Sequence, residues 1–522
     1  MLKSCWKLAL IGSLAGLGLL PCSNGAAKDY FLTIGGGYSP QGNQASMEAN
    51  VLFFDELLVK HKEGEAMEHR IFFADGDDPS ADVQVTADEG ANASVRRMLS
   101  MVFDWKVDAL QYRDHRVTKA VGSNEPESVR AGMDQIAASL TSGDRFFIYV
   151  TAHGGSDKQK GGYNTSIYGW NRRSVKASEF AEWLDKVPND VPVYMVMAQC
   201  YCGGYANTIF SGASREQGLA SGLRCGFFAQ QHNLPAAGCR PDITNDQEYS
   251  SYFWGAIRGQ TRNGQPITGA DRNADGQVSF AEAHVHAVLT GDTIDIPIRC
   301  SEVLLRTYSQ KKADYTKNES LASCDSDGEA SIEVAMNHDV CDSLLDAEGT
   351  LEELVAVADF VNAEVVTGLA GQLGISLSDT VQDVEKRLRD AQAAGRGLRG
   401  RSRWMSQSYR QLQKELRDEL LNRCEELAKA ESLDDLEKLG VDLNELESEI
   451  KTIPAHNVFL EQLAERQKRR EAASRAEFDQ VRMKRLLQSV ETIVLAHNLP
   501  HIASADVIKR YEEMMKLEAS SL

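Results

Sequence analysis

From residue 29 to about residue 300, short β-rich apolar runs alternate with stretches of helical spacing. Asp29–Ile34 runs into Gly35, Gly36 and Gly37, and His69–Ala74 stops at Asp75-Gly76-Asp77-Asp78-Pro79. Arg145–Thr151, Pro192–Met197 and Cys225–Gln230 are further runs of the same kind. Between them, Ser46–Lys60, Glu125–Leu140 and Ala177–Leu184 place apolar residues at helical intervals. Brief runs of β-branched and aromatic residues bounded by Gly, Pro or Asp read as strands. Strand and helix in repetition predict an α/β fold, a mostly parallel sheet flanked by helices. Ligands of such sheets bind beyond the carboxyl ends of the strands.

The pattern changes after residue 310. Residues 311–330 are polar and rich in Gly, Ser and Asp, as a linker is. From 331 to 522 the chain is charged and helical in period, with Leu412, Leu416, Leu420, Leu427, Leu433, Leu436 and Leu439 recurring. Ser432 with Asp435 marks a helix start, Gly440 a stop, and a long helix is predicted over 457–496. The expected result is an all-α helical or coiled-coil C-terminal region, a candidate surface for oligomerisation or for a partner. Arg396-Gly-Leu-Arg399-Gly-Arg401-Ser-Arg403-Trp404 reads as an exposed loop between helices.

The first residues have a different character. Lys3 and Lys7 flank a basic start, Leu8–Leu20 is apolar, and small residues end at Gly25-Ala26-Ala27. That order is a secretory leader over residues 1–27, which implies export to a periplasm or the exterior. Pro21 before Cys22 argues against lipoprotein anchoring, and the apolar run is short for a span of about 20 residues. No later segment is apolar enough to be transmembrane. With a leader at 1–27, the expected units are 28–310, a linker at 311–330 and a helical unit at 331–522. Composition permits more than one core, with 42% hydrophobic and 25% charged residues in 522. A net charge of −20 argues against nucleic acid, whose phosphates need clustered Lys and Arg. Cys225/Cys239 and Cys324/Cys341 are candidate bridges for an exported chain, although spacing cannot fix connectivity.

Two segments carry catalytic chemistry. Phe146-Phe-Ile-Tyr-Val-Thr-Ala-His153-Gly154-Gly155 is an apolar run that releases a histidine onto a glycine turn. Val193-Tyr-Met-Val-Met-Ala198-Gln199-Cys200-Tyr201-Cys202-Gly203-Gly204 does the same for a cysteine. An imidazole beside a thiol takes its proton or stabilises the thiolate, then protonates the leaving amine. Glycines let a substrate backbone approach, and the N–H groups of Gly154 and Cys200 are candidates for an oxyanion hole.

Both segments resemble the cysteine peptidases of the caspase, metacaspase and legumain type. In those proteins one strand ends in His-Gly and a later one in a Cys followed by a small or Gly turn. Ala198-Gln199-Cys200-Tyr201-Cys202-Gly203 lies over the legumain pattern Glu-Ala-Cys-Glu-Ser-Gly. Gly42-Asn43-Gln44-Ala45-Ser46 is similar to the legumain stretch Arg-His-Gln-Ala-Asp. The resemblance covers residues 29–300 and implies a caspase-like sheet with Cys200 as nucleophile and His153 as acid/base. The chain departs from the family at Ala198, where an acid or amide lines the pocket for the residue before the cut, and at Gly42-Asn43. Family specificity therefore does not transfer. Asn43, Ala198, Asp242 and Asp246 are the candidate specificity residues. The two acids stand on the loop that lines this pocket in legumains.

A further motif is Asp271-Arg-Asn273-Ala-Asp275-Gly276-Gln277-Val-Ser279-Phe-Ala-Glu282. It matches the twelve-residue EF-hand loop at each diagnostic position. Calcium would take oxygens from Asp271, Asn273, Asp275, the Gln277 carbonyl and Glu282. The segment before it, 264–269, is not helical, so the loop is expected without a paired hand. The function expected is an exported, calcium-stabilised cysteine endopeptidase acting on peptide or protein substrates. The alternative is a catalytically silent, calcium-binding scaffold of the same fold that holds a partner through its helical tail.

Overall fold

The computed structural model describes residues 27–86, 93–105, 110–159, 161–309 and 344–522, without the side chains of 93, 395–408 and 433–434. The expected leader up to residue 26, the linker at 311–330 and the Cys324/Cys341 pair lie outside the described residues.

Eleven strands form among the described residues. They are β1 (Asp29–Gly36), β2 (Met67–Phe73), β3 (Val83–Thr86), β4 (Leu110–Arg113), β5 (Ala120–Gly122), β6 (Arg145–Gly155), β7 (Ser166–Gly169), β8 (Arg173–Lys176), β9 (Val193–Met197), β10 (Arg224–Phe228) and β11 (Ile298–Arg299). The main sheet has the order β11-β10-β9-β6-β1-β2-β5. Every pair from β10 to β5 is parallel, and β11 closes the edge antiparallel. β1, β9 and β10 are buried along their whole length, as parallel strands covered on both faces must be.

Side-chain alternation divides the two layers. On one face Phe31, Phe147, Tyr149 and Phe227 meet Phe54 of α1 (Ala45–His61), Phe253 and Trp254 of α5 (Tyr249–Arg258) and Phe280 of α6 (Phe280–Thr290). On the other, Ile34 and Ile167 share a cavity wall with Val129 of α3 (Pro126–Ser139) and Phe180 of α4 (Ala177–Leu184). α2 (Ala93–Phe103) lies off this sheet, and α7 (Cys300–Tyr308) follows β11.

The helical region is built into the rest. Leu495 and Leu499 of the Pro454–Ile502 helix, Val507 and Met514 of the Ala505–Glu518 helix, and Leu522 belong to the main core. Arg299 and Glu518, each 1% exposed, pair at 2.9 Å. Phe280 donates its N–H to Ser520 O at 2.9 Å. A second cluster joins Ala281, Val285, Val288 and Leu289 of α6 to Leu369, Leu486, Val490 and Ile493, and a third joins α2 to Leu416, Leu436 and Phe459.

Three expectations change. The 396–404 segment is not a loop but lies within one helix, Val381–Arg423. No proline interrupts it, and helix already formed on both sides offsets the roughly 1 kcal/mol that each glycine costs. Cys225 and Cys239 are free: Cys225 is sealed in the core on β10, and Cys239 stands on the loop beyond. The strand before His153 does not stop at Thr151. It continues through Gly155 because β7 pairs antiparallel with 153–155.

Candidate active site

β6 and β9 are parallel neighbours with Val150 opposite Met197. Three residues further along each strand's path come His153 and Cys200, on one carboxyl edge of the sheet. Gly154 seals the seam, since a Cβ there would overlap the Cys200 carbonyl oxygen. The chain leaves β9 through Tyr201 in the left-handed region, φ 61°, and enters the 3-10 turn Cys202–Ile209. That reversal turns Cys200 out at the strand end and Cys202 into the core. Cys202 is fully buried, and its Sγ accepts from Gln230 N at 3.2 Å.

His153 is held from the β1–α1 connection. Its Nε2–H faces Gly42 O and Gln44 Oε1, both at 2.9 Å, which leaves Nδ1 with the lone pair. Burial depresses its pKa, against the opposing effect of the Gly42 carbonyl. Tyr38 lies against the ring at 5.3 Å between centroids. Gly37 packs on the Gly42 carbonyl so closely that no side chain fits there, and Asn43 Oδ1 accepts Gly37 N at 3.0 Å.

Cys200 is half-buried under the loop that follows β10. Its Sγ accepts from Ala236 N at 3.3 Å and lies 3.7 Å from Ala236 O. Burial pushes the thiol pKa up, while the N–H groups of Ala236 and of Cys200 itself pull it down. Other segments clasp this loop. Asp295 Oδ1 accepts Ala237 N at 2.7 Å, and Arg240 exchanges hydrogen bonds with Ser46 through its N–H at 2.8 Å and its carbonyl at 3.1 Å. Asp295 is buried, which raises its pKa to about 6. The loop bearing it is in turn held by Arg485 of the Pro454–Ile502 helix, which donates to the carbonyls of Val288, Gly291, Thr293 and Asp295.

The expected specificity residues do not converge. Asn43 is fully buried as a brace and donates to Asp82 Oδ2 at 3.1 Å. Ala198 is buried, with its N–H on Val150 O. Asp242 closes a local turn onto Thr244. Asp246 accepts from Asn263 at 2.9 Å and lines a separate cavity with Arg262, Ile267 and His286.

The 271–282 loop has EF-hand turn chemistry. Asp271 Oδ2 accepts Gly276 N, Asn273 Oδ1 accepts Asp275 N, and Asp275 Oδ1 accepts Gln277 N, each at 2.9 Å. Gly276 has φ 90°. Glu282 turns inward, with one oxygen on Arg272 N and Asn273 N and the other on Ser279. Asp271 Oδ1 is buried without a hydrogen-bond partner and is the oxygen a cation would take first. The loop thus carries oxygen donors of the type calcium takes, and Glu282 would have to exchange its backbone partners to ligate an ion.

Gln44, Ala236, Asp295 and Arg485 were not singled out in the sequence. Gln44 stood within the legumain-like segment, but nothing local marked the other three, whose roles depend on contacts distant in the chain. Among the described residues no helix is long and apolar enough to cross a membrane. No family model matches the chain, and no curated protein does. Among solved structures the chain is similar to protein GSU0716 from Geobacter sulfurreducens, at 12% identity over 52% of this chain and 93% of that one, with a TM-score of 0.29.

Proposed function

We propose that this chain is an exported cysteine endopeptidase of the caspase/legumain type, with Cys200 as nucleophile and His153 as acid/base. One observation carries the reading: the parallel register of β6 and β9 sets His153 and Cys200 on the same sheet edge, with Gly154 seated against Cys200. His153 Nδ1 takes the proton of Cys200, and the thiolate attacks the scissile carbonyl. The N–H groups of Gly154 and Cys200 receive the oxyanion. His153 then protonates the leaving amine, and water hydrolyses the thioester. The Ala236 loop must lift from Sγ before a substrate carbonyl reaches it. Asp271, Asn273, Asp275, Gln277 and Glu282 would hold calcium, which would brace the start of α6.

A second reading has its own observation. The Cys200 thiol is engaged by Ala236 and its pKa is raised, as suits a catalytically silent scaffold. A thiol-reactive peptide probe separates the two. Labelling at Cys200 that is lost in His153→Ala supports the enzyme. Equal labelling of parent and His153→Ala, with no cleavage of a peptide library, supports the scaffold.

A further inference from the structure

Behind the segment that holds His153 lies a second group of donor atoms. Asp75 follows β2, Asp82 leads into β3, and His115 follows β4. One donor atom from each lies within 4.8 Å of the other two. Asp82 is fully buried. Its Oδ2 accepts from Asn43, and its Oδ1 has no hydrogen-bond partner. Asp75 repeats the arrangement, with Oδ2 on Ser80 Oγ at 2.6 Å and Oδ1 buried without a partner. Arg113 is committed to Glu48, at 2.9 and 2.5 Å. Two buried carboxylates whose inner oxygens lack a partner are costly unless a cation or a proton joins them.

The chemistry of His115 narrows the choice of cation. Its Nε2–H donates to Gly76 O at 2.6 Å and stands 4.0 Å from Asp75 Oδ1, while its Nδ1 accepts Val117 N at 3.2 Å. Both ring nitrogens are occupied, so the imidazole would have to break a bond to ligate a zinc-like ion. The carboxylate oxygens remain, and these suit a hard cation. Two oxygens on one calcium ion, at about 2.3–2.6 Å each, stand no more than about 5.2 Å apart, and the donor atoms here all lie within 4.8 Å of one another.

We propose that Asp75 and Asp82 bind a calcium-like divalent cation through their Oδ1 atoms, with His115 at its edge, as a site distinct from the 271–282 loop. The ion would fix Asp82, Asp82 would fix Asn43, and Asn43 holds Gly37 beside the Gly42 carbonyl on which His153 rests. The site is thus placed to stiffen the cradle of His153. Ion binding itself does not depend on the peptidase reading.

The test is calcium binding to the full chain by equilibrium dialysis at neutral pH. Asp82→Asn should bind one ion fewer than the parent, and Glu282→Gln should leave that ion in place. If Asp82→Asn binds as many ions as its parent, the proposal fails and the two carboxylates share a proton instead. Should Asp82→Asn not fold, crystals of the parent grown with manganese decide. An anomalous peak between Asp75 and Asp82 supports the site, and no peak there overturns it.

Discussion

At the scale of single residues, the two cysteines separated by Tyr201 have opposite fates. Cys200 lies three residues past the end of β9 at the sheet edge, whereas Cys202 is sealed beneath Gln230. Cys200→Ala should abolish probe labelling and peptide cleavage with an unchanged melting temperature. Cys202→Ser should keep most activity, because a hydroxyl can also take the Gln230 N–H. A dead Cys202→Ser with an active Cys200→Ala would reverse the assignment. The pH dependence follows from the same burial. With the Cys200 pKa raised and that of His153 lowered, both groups are neutral at pH 7 under the closed loop. Alkylation of Cys200 by iodoacetamide, which needs the thiolate, should still be climbing as pH passes the ordinary thiol value of 9.0. A plateau reached below pH 7 would mean that a thiolate–imidazolium pair is already formed.

At the scale of elements, the seam between β6 and β9 tolerates no side chain at residue 154. Gly154→Ala would push against the Cys200 carbonyl and should cost about 1–3 kcal/mol, as overpacking does. It should also lower kcat by more than its effect on melting accounts for. Unchanged kcat with an unchanged melting curve would show that the seam opens freely. The start of α6 gives a second case. Ser279 and Glu282 form a reciprocal cap there, and Ser279→Ala should cost about 1 kcal/mol. Saturating calcium should raise the melting temperature of the parent, and Asp271→Ala should reduce that rise. A melting curve indifferent to calcium would remove the ion from both candidate sites.

At the scale of the whole molecule, the helical region completes the core. The composition break at 311–330 marks 28–310 as a unit in the sequence, but as a separate piece it would lose Leu495, Leu499, Val507, Met514 and Leu522 from the main apolar cluster. It would also leave Arg299 buried without Glu518, its nearer carboxylate, and with Glu302 at 3.3 Å as the remaining partner. Removing one partner of a buried ion pair costs about 3–5 kcal/mol, a large share of a domain's stability. Residues 28–310 expressed alone should aggregate, and Glu518→Ala in the full chain should melt at a clearly lower temperature. A soluble 28–310 fragment with a cooperative melt would refute this. Arg485 ties the Pro454–Ile502 helix to the loop over Cys200, through the 288–295 carbonyls, Asp295 and Ala237. Arg485→Ala should therefore change the rate of Cys200 labelling, although it touches neither His153 nor Cys200. Labelling at the parent rate would show that the Ala236 loop moves independently of the helix.

The sequence by itself determined the elements whose signals are local. The runs at 29–34, 69–74, 145–151, 192–197 and 225–230 became the parallel strands β1, β2, β6, β9 and β10, because an apolar run bounded by Gly, Asp or Pro is a strand for reasons contained in the run. The same holds for the turn chemistry of 271–282. The short strands β3, β4, β5, β7, β8 and β11 were not legible, since runs of two to four residues carry no pattern of their own and form only by pairing. β7 is an example, for it both forms on β6 and prolongs it past His153. Tertiary structure alone decided that Asn43 braces Asp82, that Asp246 faces another cavity, and that Ala236 sits on the Cys200 thiol. It also decided that residue 518 and residue 299 share one buried charge pair. Burial and electrostatic pairing depend on distance in space, and no pattern of neighbours in sequence encodes which loop will lie over which strand end.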